Sequence, residues 1–398
     1  MKLVEPESVG LSTSRLARIK PVMQQYVDKG IFAGVSTLIS RHGQVAHQEC
    51  VGWRNLESRL PITEDTIFCI WSMSKPITSA AAMILCEEGR LRLWDPLSRY
   101  LPEYKEAKVM VPRGGDAYDL VPAAREVTIH DLITHTGGFT YGDEPQSALG
   151  ALYCKVLAPF DKQEDVALET WVRALAAARV PLAFQPGTAF RYSMSIDILG
   201  YVIQLASGQL FEEFLQERIF GPLGMVDTAF WVPPEKVNRL AFTYGPAKNG
   251  GLEALPPPPG RDITKPTHNP SGGGGLVSTI GDYFRFGQML LNGGEFEGAR
   301  ILGRKTVEWM LQNHLRPGVL PMDEPCNGFG LGGAVLLHPG LSHRPGSVGK
   351  FGWGGAANTE WWIDPPEGLQ CLIMLQYMPA FSIPIVEDFA QLAYQAQE

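Results

Sequence analysis

The sequence predicts a mixed α/β protein of the α+β type, in which an antiparallel sheet flanked by helices is interrupted by a mostly helical insertion. Three observations predict it. Strand-like text stands at both ends of the 398-residue chain, helix-period text fills the middle, and two composition breaks, PPPPG at 256–260 and GGGG at 272–275, mark the return to strands. Strands at both termini with helices between them imply that the termini build one layered unit. The expected division is 1–74 with 272–398 as the α/β part and 75–271 as the insertion. The length suits two compact units at about 100–200 residues each.

In chain order, Ser12 or Thr13 is placed to cap an opening helix that runs to about Gln25. GVSTLIS, a turn at Arg41-His42-Gly43, and QVAHQECVGW then read as a β-hairpin. From Lys75 to Glu88, the residues Ile77, Ala80, Ala81, Ile84 and Leu85 recur at helical spacing, and Gly89 supplies the stop. Further helices are expected over 127–134, 165–179, 195–206 and 209–219, joined by loops that carry Pro and Gly. A helix at about 279–291 and strand-like runs at LGGAVLLH, TEWWID and LQCLIMLQY complete the chain.

Composition removes several classes of function. The chain is 45% hydrophobic and 19% charged, with a net charge of −8 and basic residues scattered along it, so a nucleic-acid backbone has no basic stripe to meet. No segment approaches the ~18 uninterrupted apolar residues of a membrane span, and the opening MKLVEPESVGLSTSRL lacks a secretory apolar core of about 7–15 residues. A cytoplasmic protein without membrane or nucleic-acid partners is expected. The six cysteines, Cys50, Cys69, Cys86, Cys154, Cys326 and Cys371, form no C-x-x-C pair and have no histidine at ligand spacing. They read as buried reduced thiols, with no metal and no cofactor implied.

Chemistry concentrates at Ser72-Met73-Ser74-Lys75, an S-x-x-K directly after the apolar run TIFCIW and at the start of a helix. Residues three apart on a first helical turn share a face, so the lysine amine reaches the serine hydroxyl. The helix N-terminus also favours negative charge developing on that oxygen. The four letters alone mean little, because a serine at a helix start is more often an N-cap. A second copy, Ser347-Val348-Gly349-Lys350, lies in Gly/Pro-rich loop text and reads as chance. Two further elements follow in order. Tyr192 projects from the loop before the apolar helix IDILGYVIQLAS, a place where a lone tyrosine is usually core. Trp353-Gly354-Gly355-Ala356 precedes strand text, where glycines mark either a tight turn or a strand edge that a substrate carbonyl approaches closely. Backbone N–H groups of Ser72 and Ala356 would then form an oxyanion hole, each donor worth about 2.7–4 kcal/mol.

Taken together, PESVGLSTSRL, SMSKPITSAAAMIL, VTIHDLITHTGGF, PGTAFRYS, IFGPLGMVDTAF, SGGGGLVSTIGDYFRFGQMLL and FGWGGAANTEWWIDP resemble the serine β-lactamase and penicillin-binding superfamily. The resemblance covers nearly the whole chain and is nearest to class C β-lactamases and the family VIII carboxylesterases related to them. It implies a β-lactamase/transpeptidase-like fold, with a cleft between an α/β and a helical domain, Ser72 as nucleophile, Lys75 as its base and Tyr192 as the partner tyrosine. Two departures point to esters. The family's Tyr-x-Asn is Tyr192-Ser193-Met194 here, and its Lys-Thr-Gly is Trp353-Gly354-Gly355. Lys305-Thr306-Val307 and His338-Pro339-Gly340 do not replace that cation. The expected reaction is hydrolysis of small carboxylic esters through an acyl-enzyme on Ser72. β-Lactam hydrolysis, acyl transfer to an alcohol or amine, and non-catalytic β-lactam binding stand as alternatives. An α/β-hydrolase is disfavoured because no G-x-S-x-G occurs. Phe139, Tyr141, Trp231 and Trp361 are candidate pocket walls, although each has a ready alternative as ordinary core, and His130 and His135 read as structural.

Overall fold

The hairpin at the start of the chain fixes the sheet. His42 (φ 51°) and Gly43 (φ 79°) both lie in the left-handed region, which a two-residue connection between twisted strands requires. They join β1 (Gly34–Arg41) to β2 (Gln44–Asn55), with Leu38 opposite Gln48. In this computed structural model, which describes residues 2–114, 117–161, 165–257 and 261–398, β1 and β2 belong to an eight-stranded sheet. Its remaining strands are β3 (Leu60–Pro61), β4 (Asn327–Phe329), β5 (Ala334–Leu336), β6 (Phe351–Gly354), β7 (Glu360–Asp364) and β8 (Leu369–Met374). The order is β4-β5-β6-β7-β8-β1-β2-β3, antiparallel throughout. The first and last thirds of the sequence therefore meet where β8 pairs with β1, Ser36 lying opposite Met374.

All six residues of β8 are buried because both faces of the sheet are covered. Cys371 and Ile373 face α1 (Ile19–Asp28) and α8 (Ile385–Tyr394), packing with Met23, Val386 and Phe389. Leu372 and Met374 face the larger core, which includes α7 (Ile280–Leu291) and the helices of the middle segment. Each such side chain taken out of water contributes about 1.5–3 kcal/mol before entropy is counted.

The middle segment supplies α2 (Ser74–Glu87), α3 (Ile129–Ile133), α4 (Ala148–Asp161), α5 (Leu168–Ala177) and α6 (Ser195–Ser207). α2 ends as its sequence predicts, at Gly89 with φ 70°. α3 is shorter than expected; Thr128 and Asp131 cap it reciprocally, and His135 at φ 57° stops any continuation. The 209–219 helix is a short α-helix, Phe211–Leu215, that passes into a π-turn at Gln216–Phe220.

One expectation needs correction, and two elements are ones that the sequence does not announce. The opening helix is broken into a turn at Thr13–Leu16 and α1, and Ser12 does not cap it; Glu7 accepts from the Thr13 N–H at 2.9 Å instead. α4 carries Gly150 and Pro159, which mask it in the sequence, and the hairpin Lys108–Gly114/Ala117–Pro122 is largely solvent-exposed, so it lacks the apolar alternation that announces a strand. The glycine run at 272–275, a composition break in the sequence, is a tightly packed turn: a Cβ on Gly275 would lie 2.7 Å from the Ser271 carbonyl. Of PPPPG, residues 258–260 lie outside the described residues. No helix among the described residues is long and apolar enough to cross a membrane.

Candidate active site

A single 3-10 turn, Trp71–Met73, leads into α2 at Ser74 and puts Ser72 and Lys75 on one face. The Lys75 side chain is fully buried, and its Nζ donates to Ser72 Oγ at 3.1 Å and to the Gly273 carbonyl at 2.6 Å. Among the described residues it forms no salt bridge. The turn is held from three sides. Ser74 Oγ donates to the Trp71 carbonyl (2.7 Å) and accepts from the Leu276 N–H (3.1 Å). Tyr283 Oη donates to the Met73 carbonyl at 2.8 Å, and Thr359 Oγ1 to the Ile70 carbonyl at 3.2 Å. Trp71 itself sits at φ 47°, a conformation that a bulky residue keeps only when its surroundings enforce it.

Tyr192 lies above the lysine, with Nζ 4.5 Å from its ring centroid. Its hydroxyl accepts from the Trp353 indole N–H at 3.2 Å, while the Tyr141 ring stands 5.7 Å away. Burial, then the neighbouring Tyr192, hold the Tyr141 phenol well above its usual range. The His135 ring packs 4.8 Å from that of Tyr192 and pairs through Nδ1 with Ser193 Oγ at 3.4 Å. Burial, and then the charge of Lys75, keep this imidazole well below its ordinary titration, so it is neutral. The three-way network expected of serine, lysine and tyrosine is thus formed in part: amine bonds to hydroxyl, whereas the phenol is engaged by Trp353.

The end of β6 closes the site from the sheet side. Gly355 must be glycine, since a Cβ there would lie 2.4 Å from the Ile70 carbonyl and 2.2 Å from Thr359 Oγ1. Its N–H bonds to the Thr359 carbonyl at 2.7 Å. The next residue, Ala356, is exposed, and among the described residues no hydrogen bond uses its N–H. Trp353 is half-buried against Phe329, with ring centroids 5.2 Å apart.

Other predicted positions fall elsewhere. Phe139 is a core residue packed edge-on against Tyr104, and Trp361 is fully buried among Tyr283, Phe286 and Phe351, so neither is a pocket wall. Trp231 lines a separate groove with Glu212, Glu213 and Glu217. Met194 is buried in the core rather than facing substrate. His130 stacks on Trp94 and pairs with His314 at 3.2 Å. Lys305 sits on the helix Arg304–Met310, paired with Glu308, and His338-Pro339-Gly340 leads into a 3-10 turn. All six cysteines are unpaired. Sequence reasoning missed Gly273, whose carbonyl binds Lys75, and Asp197, which holds Gly273. Their signals were present: a glycine run that passes directly into the strand-like text LVST, and a lone acid inside the apolar run IDILGYVIQLAS.

Fold and site together define a β-lactamase-fold serine hydrolase, with an S-x-x-K serine and lysine in contact at the start of a buried helix. A family model described as Beta-lactamase matches residues 19–394, and the chain belongs to that family. It is 34% identical over 372 residues to Protein Rv1367c of Mycobacterium tuberculosis, covering 91% of this chain and 90% of that one. Esterase EstB of Burkholderia gladioli is 29% identical over 388 residues, covering 93% of each. Among solved structures, EstCE1, described as a hydrolase with promiscuous acyltransferase activity, superposes with a TM-score of 0.81 at 29% identity, over 96% of this chain and 99% of that one.

Proposed function

We propose that this protein hydrolyses small carboxylic esters through an acyl-enzyme on Ser72. The observation that carries the reading is the buried Lys75 amine, free of any salt bridge among the described residues and 3.1 Å from the Ser72 hydroxyl. In this reading Ser72 Oγ attacks the ester carbonyl, and its proton passes to the Lys75–Tyr192 pair, which returns it to the departing alcohol. Water then attacks the acyl-enzyme, giving its proton to the same pair, and Ser72 is restored as the acid leaves. The N–H groups of Ser72 and Ala356 receive the oxyanion, an assignment favoured by the unengaged amide of Ala356. Tyr141, Trp353, Gly354 and Gly355 line the substrate, in a cleft between the α/β part (1–74, 272–398) and the insertion (75–271).

Trp353 stands where a β-lactam or peptide carboxylate would need a cation, which favours neutral esters. The test is a pre-steady-state burst with p-nitrophenyl butyrate, its amplitude equal to the enzyme concentration and absent in Ser72→Ala. An undiminished burst in that variant refutes the assignment. A second reading, acyl transfer to an added alcohol, is favoured by the acyltransferase side activity named for EstCE1. Product analysis in the presence of a short-chain alcohol separates transfer from hydrolysis, and nitrocefin turnover measures any β-lactamase activity.

A further inference from the structure

We propose that Asp197 is a positioning residue for the acylation step, holding the Gly273 carbonyl where it fixes the Lys75 amine against Ser72. The inference rests on the ester-hydrolase reading above. Asp197 lies in the first turn of α6 and is 6% exposed. Its Oδ1 accepts from the Gly273 N–H at 3.0 Å and from Ser271 Oγ at 2.5 Å. Ser271 Oγ in turn accepts from the Gly274 N–H at 3.1 Å, and the Ser271 carbonyl from the Gly275 N–H at 2.8 Å. Thr78, on the same helix as Lys75, donates to the Gly272 carbonyl at 2.8 Å. Every residue of the glycine turn is therefore tied, and the carboxylate of Asp197 is the knot on which two of its bonds converge.

The consequence is transmitted to the lysine. An amine on a four-carbon stem has no preferred direction of its own and needs fixed acceptors to hold it. Here the two are Ser72 Oγ at 3.1 Å and the Gly273 carbonyl at 2.6 Å. Gly273 has no freedom to admit a side chain, since a Cβ would lie 2.4 Å from Asp197 Oδ2. Among the described residues Asp197 bonds to neither Ser72 nor Lys75, so it acts through Gly273. Without it, the Gly273 N–H and the Ser271 hydroxyl lose a buried acceptor, and the carbonyl is released to turn from Lys75.

The experiment measures the second-order rate at which a fluorophosphonate labels Ser72, alongside ester kinetics and thermal melting. Asp197→Ala is expected to label about 100-fold more slowly, the loss appearing in kcat with KM within about threefold of wild type. Asp197→Asn keeps an oxygen that can accept from Gly273 and recovers to within about tenfold of wild type. Ser271→Ala, which removes one tie and serves if Asp197→Ala does not fold, is expected to label about tenfold more slowly with a melting midpoint lowered by only a few degrees. Wild-type rates in both Asp197→Ala and Ser271→Ala, or an Asp197→Asn as slow as Asp197→Ala, overturn the proposal. Wild-type protein that takes no label overturns the ester-hydrolase reading instead, which keeps the two failures distinct.

Discussion

The two copies of S-x-x-K in this chain share four-letter spacing and little else. Ser72 and Lys75 bond to each other across the first turn of a buried helix. Ser347 and Lys350 occupy a loop in which Gly349 lies at φ 90°, and their functional groups part company. Ser347 Oγ donates to Glu367 at 3.2 Å, while Lys350 Nζ donates to the Pro345 carbonyl at 3.1 Å and lies near the rings of Trp362 and Tyr394, 6.0 and 5.9 Å from their centroids. Burial pulls the Lys350 amine below its usual range, with Arg344 adding to the effect. A buried amine therefore does not by itself mark a proton acceptor for serine. What distinguishes the first copy is helical geometry, which sets hydroxyl and amine on one face and in hydrogen-bond contact.

The largest effect that tests this contrast is at the serines themselves. Ser72→Ala is expected to lower kcat/KM for p-nitrophenyl butyrate by more than about 10³-fold. Ser347→Ala is expected to leave the rate unchanged and to cost about 1 kcal/mol or less in a urea melt. Equal losses at the two serines would remove the basis of the distinction.

The glycines beside each copy come next. Gly355→Ala drives a methyl group into the Ile70 carbonyl, two residues before the nucleophile. A displacement of roughly 1 Å there should cost about 100-fold in kcat/KM. Gly349→Ala meets no atom within 4 Å but is strained at positive φ, so it should cost about 1–2 kcal/mol of stability and no activity.

A third difference is titratable. His135 packs against Tyr192, and its imidazole is depressed well below the ordinary value. Its contribution is fully present above the unfolded value near 6.5 and is lost as pH falls, because the unfolded chain takes up a proton that the folded one refuses. The slope reaches about 1.4 kcal/mol per pH unit for one group. His47 and His130, each lowered to about 4 by burial, add slopes of the same sign. Melts between pH 6.5 and 4.5 should show His135→Gln losing one proton's worth of that dependence, with the remainder intact.

The smallest effect is at the second lysine. Lys350→Met should lower stability by about 1 kcal/mol through the lost ring contacts and leave ester turnover at the wild-type rate. A large loss of turnover would mean that the loop copy is coupled to the site after all.

Much of this was legible from the residues. The hairpin at Arg41–Gln44, the helix ending before Gly89 and the α7 helix after Thr279 follow from turn chemistry, capping and period. α4 and the Lys108–Pro122 hairpin were not legible, because helix breakers interrupt the first and the second leaves apolar residues such as Val111, Tyr118 and Leu120 exposed, so neither shows a clean hydrophobic period. Large aromatics were the least legible. Trp361 is the same residue type as Trp353, and Phe139 carries the ring of Tyr141 without its hydroxyl, yet Phe139 and Trp361 fill the core while Tyr141 and Trp353 stand beside Lys75 and Tyr192.

The sequence by itself determined the local matters: that Ser72 opens a helix, that Lys75 lies one turn on, and that glycines follow Trp353. These depend on contacts three or four residues apart, which spacing encodes. Only the tertiary structure decided which backbone carbonyl receives the lysine, which side chain engages the Tyr192 hydroxyl, and that a run of glycines is a clamped turn. Gly273 is 198 residues from Lys75, and Trp353 is 161 from Tyr192. Over such separations the partner is chosen by how the sheet and helices pack together, a property of the whole chain that no short stretch of it carries.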